Sequence, residues 1–310
     1  MHAATPPSPR RTFTFRWVGL RSLAVALVFL LLIGGDALFI EPNWIQATHY
    51  TIQEPIFTPL KIAQISDVHT DGIGFRERRV LERVSAEKPD IILITGDTVL
   101  PERGTYKAAH AFYQGLHAPL GVWFVRGNWE NTITIHHERA FYSSAGVHLL
   151  LNASAHPRPD IWLIGMDDGP SGRADFNTPM KGVPAGAFVI ALFHSPEFFH
   201  EVSGRANLAL AGHTHGGQIH IPFVHPFWLP TGCDGMLAGW YQEKGTRLYV
   251  TRGVGMSFMP IRFLCRPEVD FITLTPDGTV THLQTAPSGT SSSRAGASAT
   301  AVSTFAPLSR

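Results

Sequence analysis

Five short stretches of the chain place cation-binding side chains directly after apolar runs: Asp67-Val68-His69, Gly96-Asp97, Gly127-Asn128, His194 and Gly212-His213-Thr214-His215. Each has an ordinary explanation when taken singly. Asp67 could cap a helix, the Gly-Asp and Gly-Asn pairs could be turns, and His194 could be a core histidine. Together they form a donor set of two aspartates, one asparagine and four histidines without a thiolate. That mixture of oxygen and nitrogen suits Mn²⁺, Fe or Zn²⁺ and disfavours an iron–sulfur cluster or purely structural zinc. Seven donors exceed what one four-coordinate ion can use, so two divalent metal ions sharing a bridging carboxylate is the economical arrangement.

The elements that must position these donors read as short strands alternating with helices. Apolar runs fall at 60–66 (LKIAQIS), 90–96 (DIILITG), 121–127 (GVWFVRG), 146–152, 160–166, 187–194 (AFVIALFH), 207–212 (NLALAG) and 247–253. Between them, 75–87 has helical spacing with Val80, Leu81 and Val84 on one side, and 105–117 and 135–145 are also expected to be helical. Such alternation predicts an α/β domain with buried sheets and helices outside. Every donor then lies at the C-terminal end of a strand, where ligand sites of α/β sheets collect.

The order D-x-H, G-D, G-N, H, G-H-x-H resembles the calcineurin-like metallophosphoesterase family over about residues 60–274, and "GHTHGGQIHIP" and "GVGMSFMPIRFLCRPEV" resemble its membrane-associated bacterial branch. The resemblance implies a two-sheet β-sandwich flanked by helices in four layers. It implies that Asp67, His69 and His215 hold one metal, that Asn128, His194 and His213 hold the other, and that Asp97 bridges them. Asp97, Asn128 and His194 thereby count as catalytic. Two such ions, about 3.5 to 4 Å apart, activate water and bind phosphoryl oxygens, so no protein nucleophile is needed and Ser66 and Thr214 are expected to make local hydrogen bonds. Gly216 and Gly217 are expected to let the backbone turn beside the metals. One position departs from the family pattern: where a histidine usually follows Gly-Asn, this chain has Trp129, followed by the expected acid Glu130. Indole offers one N–H donor and does not titrate near neutrality, so leaving-group assistance is in question, with His136 and His137 as candidate replacements.

The ends of the chain bear on where it works. Arg10, Arg11, Arg16 and Arg21 accompany the run "SLAVALVFLLLIGG", with no acid before Asp36. The expected layout is a basic cytoplasmic tail (1–15), a transmembrane signal-anchor (16–40), a linker (41–58), the catalytic domain (59–277) and a disordered Ser/Ala/Thr-rich tail (278–310). The arginines place a single-pass chain in the inner (cytoplasmic) membrane with its domain on the exported side. The alternative is a cleaved secretory signal ending near 34–37. Cys233 and Cys265 could pair in an oxidising compartment but are too few for a disulfide framework. With a net charge of +1 and no basic tract, nucleic acid is not an expected partner, and nothing in the sequence indicates an oligomeric state. The expected substrate is a phosphorylated small molecule or lipid at the membrane surface. "IPFVHPFWLP", with Phe223, Phe227 and Trp228, would either meet that lipid or pack the loop. A related branch cleaves the pyrophosphate of UDP-diacylglucosamine, which faces the cytoplasm, so the exported topology opposes that substrate. The alternative function is a membrane-tethered metal-binding protein with little hydrolytic activity, which the complete ligand set opposes.

Overall fold

The computed structural model describes residues 12–100, 106–133, 135, 137–226 and 228–278, without the side chains of 12–18 and 20. His136, Phe227, residues 1–11 of the expected basic tail and residues 279–310 of the expected disordered tail lie outside the described residues.

Strands that read as unbroken apolar runs need cover on both faces, and the architecture supplies it. In chain order the strands are β1 (Gln46–Glu54), β2 (Leu60–Ile65), β3 (Ile91–Thr95), β4 (Val122–Val125), β5 (Val147–Leu149), β6 (Ala153–Arg158), β7 (Ile161–Gly165), β8 (Phe188–Leu192), β9 (Leu208–Ala211), β10 (Gly239–Glu243), β11 (Thr246–Val250) and β12 (Glu268–Pro276). They build two mixed six-stranded sheets, ordered β1-β12-β2-β3-β4-β5 and β10-β11-β9-β8-β7-β6. Strands β2 to β5 run parallel, as do β7, β8, β9 and β11. The α/β two-sheet fold expected from the sequence is the one observed.

Side chains alternate across each strand with a period of two, and that alternation separates three cores. Leu60, Ile62, Ile91 and Leu93 of the first sheet meet Ile190, Leu192, Leu208 and Leu210 of the second between the sheets. Ala63, Ile65, Ile92 and Ile94 point the other way, onto the helices α2 (Phe75–Glu87), α3 (Tyr106–Gln114) and α4 (Glu138–Ser144). The outer face of the second sheet, with Ala191, Phe193, Ala209 and Ala211, is covered by Phe176, Phe199 and Val202. Helix α2 begins where the Glu77 carboxylate accepts the Gly74 N–H at 2.9 Å, and it ends at Lys88 in a left-handed conformation. Both sheets therefore present their strand ends to one edge of the sandwich, from which the donor loops emerge.

The stretch expected to be a linker is part of the fold. β1 pairs in parallel with β12 from Gln46↔Glu268 to Glu54↔Pro276, and Glu41 and Pro42 before it are buried. Its side chains alternate between half-buried and exposed, the weak pattern of an edge strand, and Pro55 and Pro59 beside it read as loop. Preceding it, α1 (Thr12–Gly35) continues through a wider turn at Asp36–Ile40 and a tight one at Glu41–Asn43. Residues Arg21–Asn43 are long and apolar enough to cross a membrane, as an anchor or as part of a signal sequence.

Removing β1 uncovers an edge of β12. A chain beginning at residue 59 is therefore expected to unfold at lower urea concentration than one beginning at residue 41, or to aggregate. Equal urea midpoints for the two would show that β1 is dispensable.

Candidate metal centre

The donor loops are tight and tied to one another. Asp67, His69, Asp97, His213 and His215 all have left-handed backbones, with φ of 53°, 46°, 52°, 74° and 52°. For residues with a Cβ this costs about 1 to 2 kcal/mol each, a strain that persists only where the surroundings over-determine it. Here they do: Asp67 N–H donates to Gly96 O at 3.0 Å, His69 N–H to Asp97 O at 3.1 Å, and Gly212 N–H to His194 O at 3.0 Å. The Asp67 carboxylate accepts the His213 N–H at 3.0 Å, so the first and last motifs are joined directly. Two glycines make this approach possible: a Cβ on Gly127 would overlap Asp97 Oδ1, and one on Gly212 would overlap Ser66 Oγ.

All seven expected ligands meet at this edge. Ligand atoms of Asp67, His69 and His215 lie within 4.8 Å of one another, as do those of Asp97, His194 and His213, and all six residues are buried. Asp97 Oδ2 is 3.2 Å from His194 Nε2 and 3.8 Å from His69 Nε2, so it stands between the two groups. Asn128 Oδ1 joins the second group at 3.2 Å from His194 Nε2.

Backbone carbonyls set which ring nitrogen faces inward. His69 Nδ1 donates to Val99 O at 3.2 Å and His194 Nδ1 to Thr95 O at 2.7 Å, so both turn Nε2 to the centre. His213 is reversed: its Nε2 donates to Thr231 O at 2.7 Å, leaving Nδ1 inward, 3.0 Å from His194 Nε2. With both N–H groups committed to carbonyls, two lone pairs face each other across that gap, which only a proton or a cation can reconcile. Such carbonyl partners are what orient metal-ligating histidines, and the residues fit a pair of divalent ions.

The ionisation pattern agrees. Burial and then the charge of His194 lower the pKa of His213 against Asp97 and Asp67; burial and then the charges of His69 and Arg262 drive His215 well below the ordinary histidine value; burial also lowers that of His69, against the carboxylates beside it. Burial opposes charge at His194 too, but Asp97 outweighs it, with help from Asp67, so this imidazole stays protonated well above its ordinary value while His194 holds Asp97 below its own. Before metal binds, the positive charge that the centre requires is thus a proton on His194. Glu130 supports the shell: its carboxylate accepts the N–H groups of Gly127, Asp97 and Thr98 at 2.9, 2.9 and 2.8 Å. Burial and then the charge of Asp97 push it up to about 7.

An open cleft of about 330 Å³ leads to the centre, lined beside the ligands by Trp129, Ser171, Trp228, Thr231, Ser257 and Phe258 among others. Trp129 donates its backbone N–H to Asp97 Oδ1 at 2.9 Å and sets its ring edge-on to His69. His137 does not line this cleft; it precedes α4 in a left-handed conformation. Ser66 Oγ donates to Thr95 O at 3.0 Å and Thr214 Oγ1 to Leu237 O, the local hydrogen bonds expected of them, and neither lines the cleft. Gly216 and Gly217 turn the backbone after His215 as expected, with φ of 60° and 78°, and Gly216 is also held by packing, since a Cβ there would sit 2.7 Å from Arg252 Cγ and 2.8 Å from Cys265 Sγ. Cys233 and Cys265 are both free and buried. The carbonyls of Thr95, Val99 and Thr231 carry no sequence signal, because a backbone acceptor has no residue type; Ser257 and Phe258 fall in the "GVGMSFMPIRFLCRPEV" stretch that resembles the family branch, but no spacing rule placed them at the cleft.

Residues 60–217 match the calcineurin-like phosphoesterase family. This chain belongs to that family. It is 31% identical over 263 residues to the metallophosphoesterase YkuE of Bacillus subtilis (strain 168), covering 77% of this chain and 89% of YkuE. It is 27% identical over 253 residues to the phosphodiesterase YaeI of Escherichia coli (strain K12), covering 76% of this chain and 90% of YaeI. Like other calcineurin-like phosphoesterases it is a metal-dependent phosphoesterase, with two His/Asp groups that suit a binuclear centre.

His213→Ala should lose the ion of one group and His215→Ala that of the other, read as metal content after chelation and reloading; full two-ion content in either variant would contradict the partition. A metal ligand must be a neutral imidazole, so loading at pH 7 should expel the His194 proton, and none from His69, His213 or His215. Apparent affinity should therefore rise by about tenfold per pH unit while His194 stays protonated in the metal-free chain. Calorimetry in buffers of differing ionisation enthalpy measures that proton directly, and its absence would contradict the assignment.

Proposed function

We propose that this chain is a binuclear-metal phosphoric ester hydrolase that favours leaving groups able to depart without protonation. The observation that carries the reading is the lining of the cleft. Among its described residues, the side chains that titrate near or below neutrality are the ligands Asp97, His213 and His215 themselves. Two divalent ions, Mn²⁺, Fe or Zn²⁺, supply Lewis-acid activation of water and offset charge on the phosphoryl oxygens. The chain's own residues hold and space the site. Asp97 stands between the groups, Asn128 adds a neutral oxygen, and the carbonyls of Val99, Thr95 and Thr231 hold the rings. Trp129 occupies the place from which a family histidine would reach the leaving oxygen, and indole cannot protonate it.

A general acid contributes roughly 10²- to 10⁴-fold, most for basic leaving groups. Without one, the favoured bonds are those whose leaving group is a weak base, such as a pyrophosphate or an aryl ester, on a lipid-linked or small-molecule phosphate at the membrane surface. The arginines before the apolar helix support the exported side for the domain.

Rate measured against leaving-group pKa should fall steeply in the wild type and less steeply in Trp129→His, with alkyl esters gaining most. A shallow wild-type slope rejects the proposal. For orientation, a reporter that is active only after export should be active when fused to the C-terminus; activity only of a cytoplasmic reporter reverses it.

A further inference from the structure

Helix α1 is apolar on every side. Leu23, Val25, Val28, Phe29, Leu31 and Leu32 are all largely exposed, and no other part of the described chain covers them. A helix apolar all round is stable only where something apolar surrounds it, and at this length the matching surroundings are a bilayer. The base of this helix is fastened to the domain. Arg262 N–H donates to Ala37 O at 3.1 Å. The buried Glu41 carboxylate accepts Leu264 N–H at 2.8 Å and also Cys265 N–H. Whatever covers α1 therefore lies against the loop at 257–265.

That loop belongs to the mouth of the metal cleft. Cys265 Sγ donates to the carbonyl of His215 at 3.3 Å, so one residue links the helix base to a metal ligand. Phe263 and Gln218–His220 bond to each other, tying this loop to the residues 221–226 that follow, and Trp228 stacks on Phe258 at 5.7 Å. Phe223, Phe258 and Leu264 are exposed and each has a left-handed backbone, with φ of 67°, 65° and 51°. In water such residues are unfavourable twice over, through strain and through bare apolar surface. An apolar phase removes the second cost.

We propose that residues 221–226, Trp228 and the 257–264 loop form a rim that dips into the bilayer at the base of α1, so that the metal cleft opens onto the membrane surface and takes its phosphate ester from a membrane-resident lipid. This rests on the hydrolase reading above and names its substrate class. Phe223 lies outside the cleft lining, so it can be changed without touching the site.

The test uses the full chain in phosphatidylcholine/phosphatidylglycerol nanodiscs. A nitroxide placed on Phe223→Cys is compared with one on Arg79→Cys, an exposed site on α2; the native cysteines are buried and stay unlabelled. At position 223 dissolved oxygen should relax the label more than a water-soluble nickel chelate does, and at position 79 the reverse. A label at 223 that is open to nickel, or shielded from both reagents by a protein partner, overturns the rim. In parallel, Phe223→Asp is assayed with Mn²⁺ on two esters with the same leaving group, bis(4-nitrophenyl) phosphate in solution and hexadecyl 4-nitrophenyl phosphate in the disc. The first should stay within twofold and the second should fall at least tenfold. Equal retention or equal loss on both overturns the proposal. If the unaltered chain hydrolyses neither, the hydrolase reading fails and takes the substrate assignment with it, while the relaxation result still decides the membrane contact.

Discussion

The structure turns on one electrostatic demand. Two carboxylates, an amide and four imidazoles are gathered at the edge of the sandwich, six of the seven buried outright, and so many electron-rich atoms within a few ångströms are unstable without positive charge among them. In the metal-free chain that charge is the His194 proton, held by Asp97 and Asp67. Everything around the centre serves to keep the donors together: reciprocal hydrogen bonds between loops, left-handed backbones at five ligands, and glycines where a Cβ would collide. The strain is concentrated where the ions would repay it.

Much of this was legible in the sequence because the chemistry is carried by residue type. Aspartate, asparagine and histidine at strand ends have few other reasons to recur in one order, and the runs between them are apolar enough to be buried strands. The sandwich followed from the same runs, since 60–65 and 208–211 have no polar face to give to water. What could not be read was whatever depends on backbone or on weak patterning. β1 is half-exposed and flanked by prolines, so it reads as a linker although it closes the sheet against β12. The reversed ring of His213 depends on the Thr231 carbonyl, which no side chain announces. Gly216 turns after His215 as its residue type suggests, but the packing of Arg252 and Cys265 against it could not be read.

The departure at Trp129 separates two things that the family motif normally combines. Its backbone N–H still holds Asp97, so the motif keeps its structural duty, and Glu130 keeps its bonds to the neighbouring loop. Only the side-chain chemistry has changed. An indole stands where the family pattern has an imidazole, while the two His/Asp groups that suit metal ions are complete.

β1 has a single neighbour in its sheet, β12, and the two are separated by more of the chain than any other pair of strands. The edge formed by residues 46–54 therefore waits unpaired until the last strand has been synthesised, and contacts so distant in sequence are slow to close. The first sheet is thus completed last at its β1 edge. The loops that carry the ligands hang instead from strands with nearer partners, β2 to β4 and β8 to β9, so their pairing does not wait on this closure.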